Sequence, residues 1–173
     1  MSALWNRMVR AAKLDASLYE EVEADQGAMV QAMTVVILSS VAAGIGNLSE
    51  GGWRGIVMAT LVALLGWFVW AYLTYLIGTK ILPESQTSAN PGELLRTIGF
   101  SSSPGLLRIL ALIPSIKGIA LAIPAVWMLM AMIVAVRQAL DYSSVWRAIG
   151  VCIIGWVVNF LILFLFYSIL TVA

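Results

Sequence analysis

Residues 55–79 read GIVMATLVALLGWFVWAYLTYLIGT, 25 positions without a single charged side chain. A helix needs about 20 apolar residues to cross the hydrocarbon core of a bilayer, and this stretch meets the requirement unaided. Three further charge-free stretches, 26–49, 118–136 and 148–173, hold 24, 19 and 26 residues. The whole chain of 173 residues has only ten Lys or Arg and nine Asp or Glu, against 61% hydrophobic residues and a mean hydropathy of +0.95. An ordinary soluble domain is about 45–50% apolar and about 25% charged. The expected fold class is therefore an all-α polytopic membrane protein. Residues 1–25 form an amphipathic and acidic N-terminal segment, and 26–173 the transmembrane domain.

The same totals exclude much chemistry. With no histidine in the chain, Ser-His-Asp and Cys-His catalysis, HExxH zinc sites and histidine-ligated haem are ruled out. The single cysteine, Cys152, has no partner for an internal disulfide, and in an apolar run it behaves as a small hydrophobe. No P-loop and no paired acids are visible; Gly44-Ile-Gly46 is followed by Asn47 where a membrane aspartyl protease would need an aspartate. No enzyme activity, cofactor or metal is expected. A formal net charge of +1 gives no basic surface for nucleic acid.

Residues 1–25 lack the continuous apolar core of a cleavable signal peptide. At 100° per residue, Leu4, Trp5, Met8, Val9 and Ala12 share one side of a short helix, with Asn6, Arg7, Arg10 and Lys13 on the other. That pattern suits a helix lying in the membrane interface. Ser17-Leu-Tyr-Glu20 fits a capping box, so a second short helix is expected to carry the acidic run 19–25 into the first span, about 28–47. There Ser40 and Gly44 have the small-xxx-small spacing that allows close helix contact, and Gln31 and Thr34 are polar.

The second span covers about 55–78, and a polar connection follows at 83–92. Residues 93–116 are ambiguous. Arg96 and Arg108 interrupt their apolar run, and Ser101, Ser102, Ser103 and Pro104 stand between. Proline inside a helix deletes a backbone hydrogen bond, and serines can bind the freed carbonyls. Both a bent crossing, with Arg108 in snorkelling reach of the far interface, and a re-entrant hairpin are open. A further span, 118–136, and a last one, about 146–172 with Asn159 inside it, complete the chain.

With five spans and an internal N-terminus, Arg7, Arg10, Lys13, Lys80, Arg96, Arg137 and Arg147 face the cytoplasm and Arg54, Arg108 and Lys117 the other side. Four spans give the same seven-to-three division, so the positive-inside rule orients the chain without counting its spans. Under five spans Asp15, Glu20, Glu21, Glu23, Asp25, Glu84, Glu93 and Asp141 are cytoplasmic too. Near-equal numbers of each sign suggest pairing, with Arg96, Arg137 and Arg147 fixing helix ends against the 20–25 acidic run.

Leu18-Tyr-Glu-Glu-Val-Glu-Ala-Asp25, Gly44-Ile-Gly46 and Arg96-Thr-Ile-Gly-Phe-Ser-Ser-Ser-Pro104 resemble bacterial members of the Yip family, the Ypt/Rab-interacting membrane proteins. Val134-Ala-Val-Arg-Gln-Ala-Leu-Asp-Tyr142 and Trp146-Arg-Ala-Ile-Gly150 strengthen the likeness, which extends from about residue 18 to the C-terminus. The resemblance implies five helices, with the third kinked near Pro104, a cytoplasmic N-terminus, a non-cytoplasmic C-terminus and a bacterial cytoplasmic (inner) membrane. Eukaryotic relatives act in vesicle trafficking and bind Rab-type GTPases. The chain lacks their long N-terminal region, so GTPase binding does not carry over.

The candidate cytoplasmic cluster is Tyr19, Glu20, Glu21, Glu23, Asp25, Arg96, Arg137, Gln138, Asp141 and Arg147. Candidate intramembrane polar residues are Gln31, Ser101, Ser102, Ser103, Arg108 and Asn159. The expected function is a non-enzymatic membrane organiser or adaptor, partnered by the lipid bilayer and by another protein or a second copy of itself within the membrane. The alternative is a small transporter or channel built on the broken third span and Arg108, since intramembrane ionisable residues are functional candidates.

Overall fold

Two short helices, α1 (Ser2–Ala12) and α2 (Ala16–Ala24), precede the long ones. The computed structural model describes the backbone of residues 2–172 and the side chains of 3–158 and Leu161; Asn159 lies outside the residues whose side chains are described. The α1 helix closes in a Schellman motif. Asp15 N–H donates to the Arg10 carbonyl (3.1 Å) and Leu14 N–H to that of Ala11 (3.0 Å), with Leu14 left-handed at φ 62°. Asp15, not Ser17, caps α2: its carboxylate accepts from Ser17 N–H at 3.0 Å. An aspartate just after the left-handed residue already faces the orphan N–H groups, and the Ser17 hydroxyl donates to that same carboxylate at 2.7 Å.

The expected interfacial helix is corrected. Met8 and Ala11 of α1 are buried with Leu18, Tyr19 and Val22 of α2 and with Phe100. The apolar side of α1 packs on protein, and Trp5 alone of its large apolar residues stays prominently exposed, at 62%. On its basic side Arg7 and Arg10 are engaged by α2, while Lys13 stays exposed.

The long elements are α3 (Ala28–Gly46), α4 (Leu48–Leu76), α5 (Pro91–Ser101), α6 (Lys117–Ala139) and α7 (Val145–Val172). Among the described residues three helical stretches are long and apolar enough to cross a membrane, Ala28–Gly46, Leu48–Ile81 and Pro114–Ala139; the apolar stretch Val145–Val158 is shorter. The turn into α4 bends at Gly52, whose φ of 56° suits glycine. At its other end α4 widens into one π-helical turn, Ile77–Ile81.

A single kinked α-helix around Pro104 does not form. The α5 helix starts with a capping box, Asn90 accepting from Gly92 and Glu93 N–H while Glu93 accepts from Asn90 N–H, and has Pro91 in its first turn. It stops at Ser101, and Ser103–Leu112 continues as a 3₁₀ helix. Pro104 offers no N–H to an α-helical partner. Ser101 and Ser103 donate to the carbonyls of Ile98 and Phe100, each at 2.7 Å.

This broken segment runs alongside α3 in the same direction. A Cβ on Gly99 would overlap Ala32, one on Gly105 would overlap the Ser39 hydroxyl, and one on Gly46 would overlap the Arg108 carbonyl and crowd Ala111. The opposite side of α3 meets α4: Gly44 lies against Ile56, and the Ser40 hydroxyl donates to Thr60 Oγ1 at 3.3 Å. The expected close contact at Ser40 and Gly44 is present. Extra volume where backbones meet costs about 1–3 kcal/mol, whereas glycine in an open helix position costs about 0.5–1 kcal/mol relative to alanine. Gly105→Ala should therefore lower the melting temperature of the detergent-solubilised protein. Gly66→Ala, with open space around it, should hold or raise it; equal losses would contradict the close approach.

Candidate functional site

Most charged side chains gather at one end of the bundle, around α2, the start of α5 and the α6–α7 turn. The α1–α2 pair forms a clamp. Arg7 donates to Glu21 (2.9 Å), Asp25 (2.9 Å) and the Gln31 side-chain carbonyl (3.0 Å); Arg10 donates to Asp15 (2.7 Å) and Glu21 (2.6 Å). Gln31, in the first turn of α3, is thus tied to the charged end through Arg7. The Asp15 carboxyl is held down at about 2 by the Ser17 hydroxyl and then by Arg10. The arginines on Glu21 and Asp25 lower those carboxyls as well.

The arginines expected to meet the carboxylates of the acidic run do something else. Arg96 is buried, at 7% exposure. It donates to the main-chain carbonyls of Val22 (2.9 Å) and Glu23, two of the last carbonyls of α2. A helix leaves its final four carbonyls unpaired and bears partial negative charge there, so the guanidinium caps α2 from another helix. Arg137 donates to the carbonyls of Tyr142 (3.2 Å) and Ser143 (3.3 Å). Arg147 donates to the Pro83 carbonyl at 2.5 Å and lies 3.4 Å from Glu84. Neither forms a hydrogen bond or ion pair with residues 20–25 among the described residues.

Sequence reasoning did not single out Glu84 and Tyr142. Glu84 accepts from Ser143 N–H (2.9 Å), the Ser143 hydroxyl (2.7 Å) and Ser144 N–H (3.4 Å), placing negative charge at the start of α7. These bonds, the Ser143 hydroxyl first, lower its carboxyl below the ordinary value. The Tyr142 hydroxyl sits between the carbonyls of Gly78 (2.9 Å) and Leu82 (2.8 Å) at the π-helical turn, and burial pushes it up to about 12. The α6 C-terminus is a second Schellman motif, with Asp141 left-handed at φ 54° and Tyr142 N–H donating to the Arg137 carbonyl at 2.9 Å. Nothing short-range in the sequence marks these remote caps.

Tyr19 is a core residue, fully buried, its hydroxyl donating to the Ala11 carbonyl at 3.3 Å; burial raises it far above its ordinary value. Glu20 accepts from the Gln138 side-chain amide at 2.7 Å. Glu20, Glu23, Glu93 and Asp141 enter none of the ion pairs among the described residues. Burial pushes the Glu23 carboxyl up to about 7, reinforced by Asp141, Glu93 and Glu20 and opposed by Arg96. The four do not converge as a metal site. A polar cleft of about 460 Å³ opens beside them, lined by Glu20, Gln86, Arg137, Gln138 and Asp141.

Arg108 is the other outlier. Its guanidinium does not snorkel to the far interface; it turns inward to Met128 Sδ at 3.0 Å. Ser101 and Ser103 are occupied by carbonyls, while Ser102 caps nothing and lines a cleft with Arg108. No family model, curated protein or solved structure matches the chain.

Two outcomes check the charged end. Arg96→Ala should destabilise the solubilised protein by about 2–3 kcal/mol, since hydrogen bonds to charged groups contribute about 1.5–3 kcal/mol each and buried carbonyls are orphaned. Exposed Lys80→Ala should stay within about 0.5 kcal/mol. Glu23 titrates near 7 in the folded protein against an ordinary 4.5, so the folded state binds the extra proton between those values. That contribution raises stability as pH falls from about 7 toward 4.5 and loses it as pH rises. Partial exposure limits the effect to about 1 kcal/mol. Glu23→Gln should flatten the melting-temperature profile between pH 5 and about 8, and an unchanged slope would remove Glu23 as its source.

Proposed function

We propose that this chain is a non-enzymatic membrane organiser or adaptor that presents an acidic docking face to a basic segment of a membrane-associated protein partner. One observation carries the reading. Arg96, Arg137 and Arg147 are engaged largely by main-chain carbonyls, leaving Glu20 and Asp141 outside the ion pairs of the described residues and in the wall of an open polar cleft. The cleft wall carries two carboxylates, Glu20 and Asp141, against the one guanidinium of Arg137, and complementary charge steers association and sets its specificity.

The proposal includes five crossings, an N-terminus and charged end in the cytoplasm, a non-cytoplasmic C-terminus, a bacterial cytoplasmic membrane and membership of the Yip family. The register of the broken third segment along α3, from Ala32–Gly99 to Gly46–Ala111, supports a crossing over a re-entrant hairpin. The family assignment rests on the motifs quoted from the sequence. A small transporter or channel is the second reading, favoured by the inward turn of Arg108 in a broken segment.

Glu20→Lys combined with Asp141→Lys should weaken recovery of a co-purifying protein from native membranes by tenfold or more, with melting temperature preserved. Recovery that is indifferent to both charges removes the acidic face from the proposal. Solute flux in liposomes containing the protein alone would favour the transporter. A reporter fused after Ala173 should read the non-cytoplasmic side, and a cytoplasmic reading excludes five crossings.

A further inference from the structure

Arg108 holds a charge that the described protein does not balance. Met128 lies about 16 Å from Lys117 and about 14 Å from Arg137 along α6 at 1.5 Å per residue, so a guanidinium beside its sulfur is deep in the bundle. The thioether is a weak acceptor. Arg108 enters none of the ion pairs among the described residues, and the remaining run 148–173 contains no Asp or Glu. An unpaired ion away from water costs several kcal/mol.

A second orphan lies in the same place. Trp70 Nε1 is the one buried side-chain polar atom without a partner among the described residues, and Trp70 and Arg108 line one cleft of about 310 Å³. Ser39 and Ser102 add hydroxyls to its wall. The site therefore offers a guanidinium and hydroxyls, with no carboxylate among its lining residues. That donor set complements an oxyanion, which a guanidinium can bind in a two-pronged fork.

We infer that Arg108 and Ser102 form a site for the phosphate group of an anionic lipid entering sideways from the bilayer. The clefts meeting at Arg108 are rimmed by outward-facing Gly66 of α4 and by Val126 and Trp156, each 60% exposed. A hydrated free anion would have to cross that apolar rim, whereas a lipid already lies against it. The inference is independent of the acidic face at the charged end.

The test uses the full chain, delipidated in neutral detergent. Phosphatidylglycerol, diacylglycerol and inorganic phosphate are titrated separately, with native mass spectrometry and melting temperature as readouts. Phosphatidylglycerol should bind and raise the melting temperature, while diacylglycerol, which lacks the phosphate, and inorganic phosphate should not. Arg108→Gln should weaken phosphatidylglycerol binding roughly ten- to hundredfold, the loss of one or two charge-assisted bonds, and melt no lower than the lipid-free parent because the unpaired ion is gone. Equal binding by parent and variant overturns the site, as does equal response to diacylglycerol. An equal response to inorganic phosphate overturns the lipid as its source. If Arg108→Gln does not purify folded, Arg108→Lys keeps the charge and removes the two-pronged fork; binding should fall severalfold, and unchanged binding overturns the site.

Discussion

The close approach of α3 to the broken segment that follows Asn90 sets the positions of nearly everything else. Small residues recur where the two backbones meet: Ala32 opposite Gly99, Ser39 opposite Gly105, Gly46 against Arg108 and Ala111. In a bilayer there is little hydrophobic gain in bringing apolar helices together, so dispersion contacts and short-range polar contacts must supply the attraction. Removing side-chain volume from one line of contact allows the backbones to approach closely. The same approach accommodates the 3₁₀ stretch around Pro104. It also places Arg96 under the end of α2 and Arg108 beside Met128.

Charge at the populated end follows from the main chain more than from ion pairing. Each helix that stops there leaves carbonyls or N–H groups without partners, and the side chains that satisfy them come from distant parts of the sequence. Arg96 serves α2, Trp127 serves the Ala12 carbonyl of α1 at 2.6 Å, Glu84 serves α7, and Tyr142 serves the π-helical turn. An arginine bound to carbonyls keeps its full charge without cancelling a carboxylate. Formal balance along the chain therefore coexists with carboxylates, such as Glu20 and Asp141, that enter no ion pair among the described residues. Only Arg7 and Arg10, held against α2 by the tight turn at Leu14, neutralise the acidic run directly.

The elements legible in the sequence are those governed by local rules. Charge-free length marked the apolar helices, the Ser40–Gly44 spacing marked the α3–α4 contact, and the serines beside Pro104 were correctly read as carbonyl donors in two of three cases. Asn90-Pro-Gly-Glu93 carried a capping-box signal as well, and it could have fixed the start of α5 from the sequence alone. Misreadings arose where two local rules were both satisfied. The amphipathic pattern of α1 fits a membrane interface and a protein groove equally, and the acidic α2 beside it decides for the groove. Ser17 and Asp15 both suit a helix start, and the left-handed Leu14 decides for Asp15. Remote caps such as Glu84 on α7 have no local signature, because the rule they obey joins residues about 60 positions apart.

Arg108 shows how far direction matters beyond position. By residue count its backbone lies near the far end of α3, against Gly46, and a long side chain there has water within reach if it extends outward. A helical side chain instead leans toward the N-terminal end of its own helix, which for this segment points back into the bundle. Outward extension would hydrate the ion, whereas inward extension gives it a thioether and a cleft with an unpartnered indole N–H. The inward arrangement is favourable only when something negative shares the cleft. A guanidinium set among the Ser39 and Ser102 hydroxyls, with no carboxylate in the cleft wall, makes a coherent demand for an oxyanion.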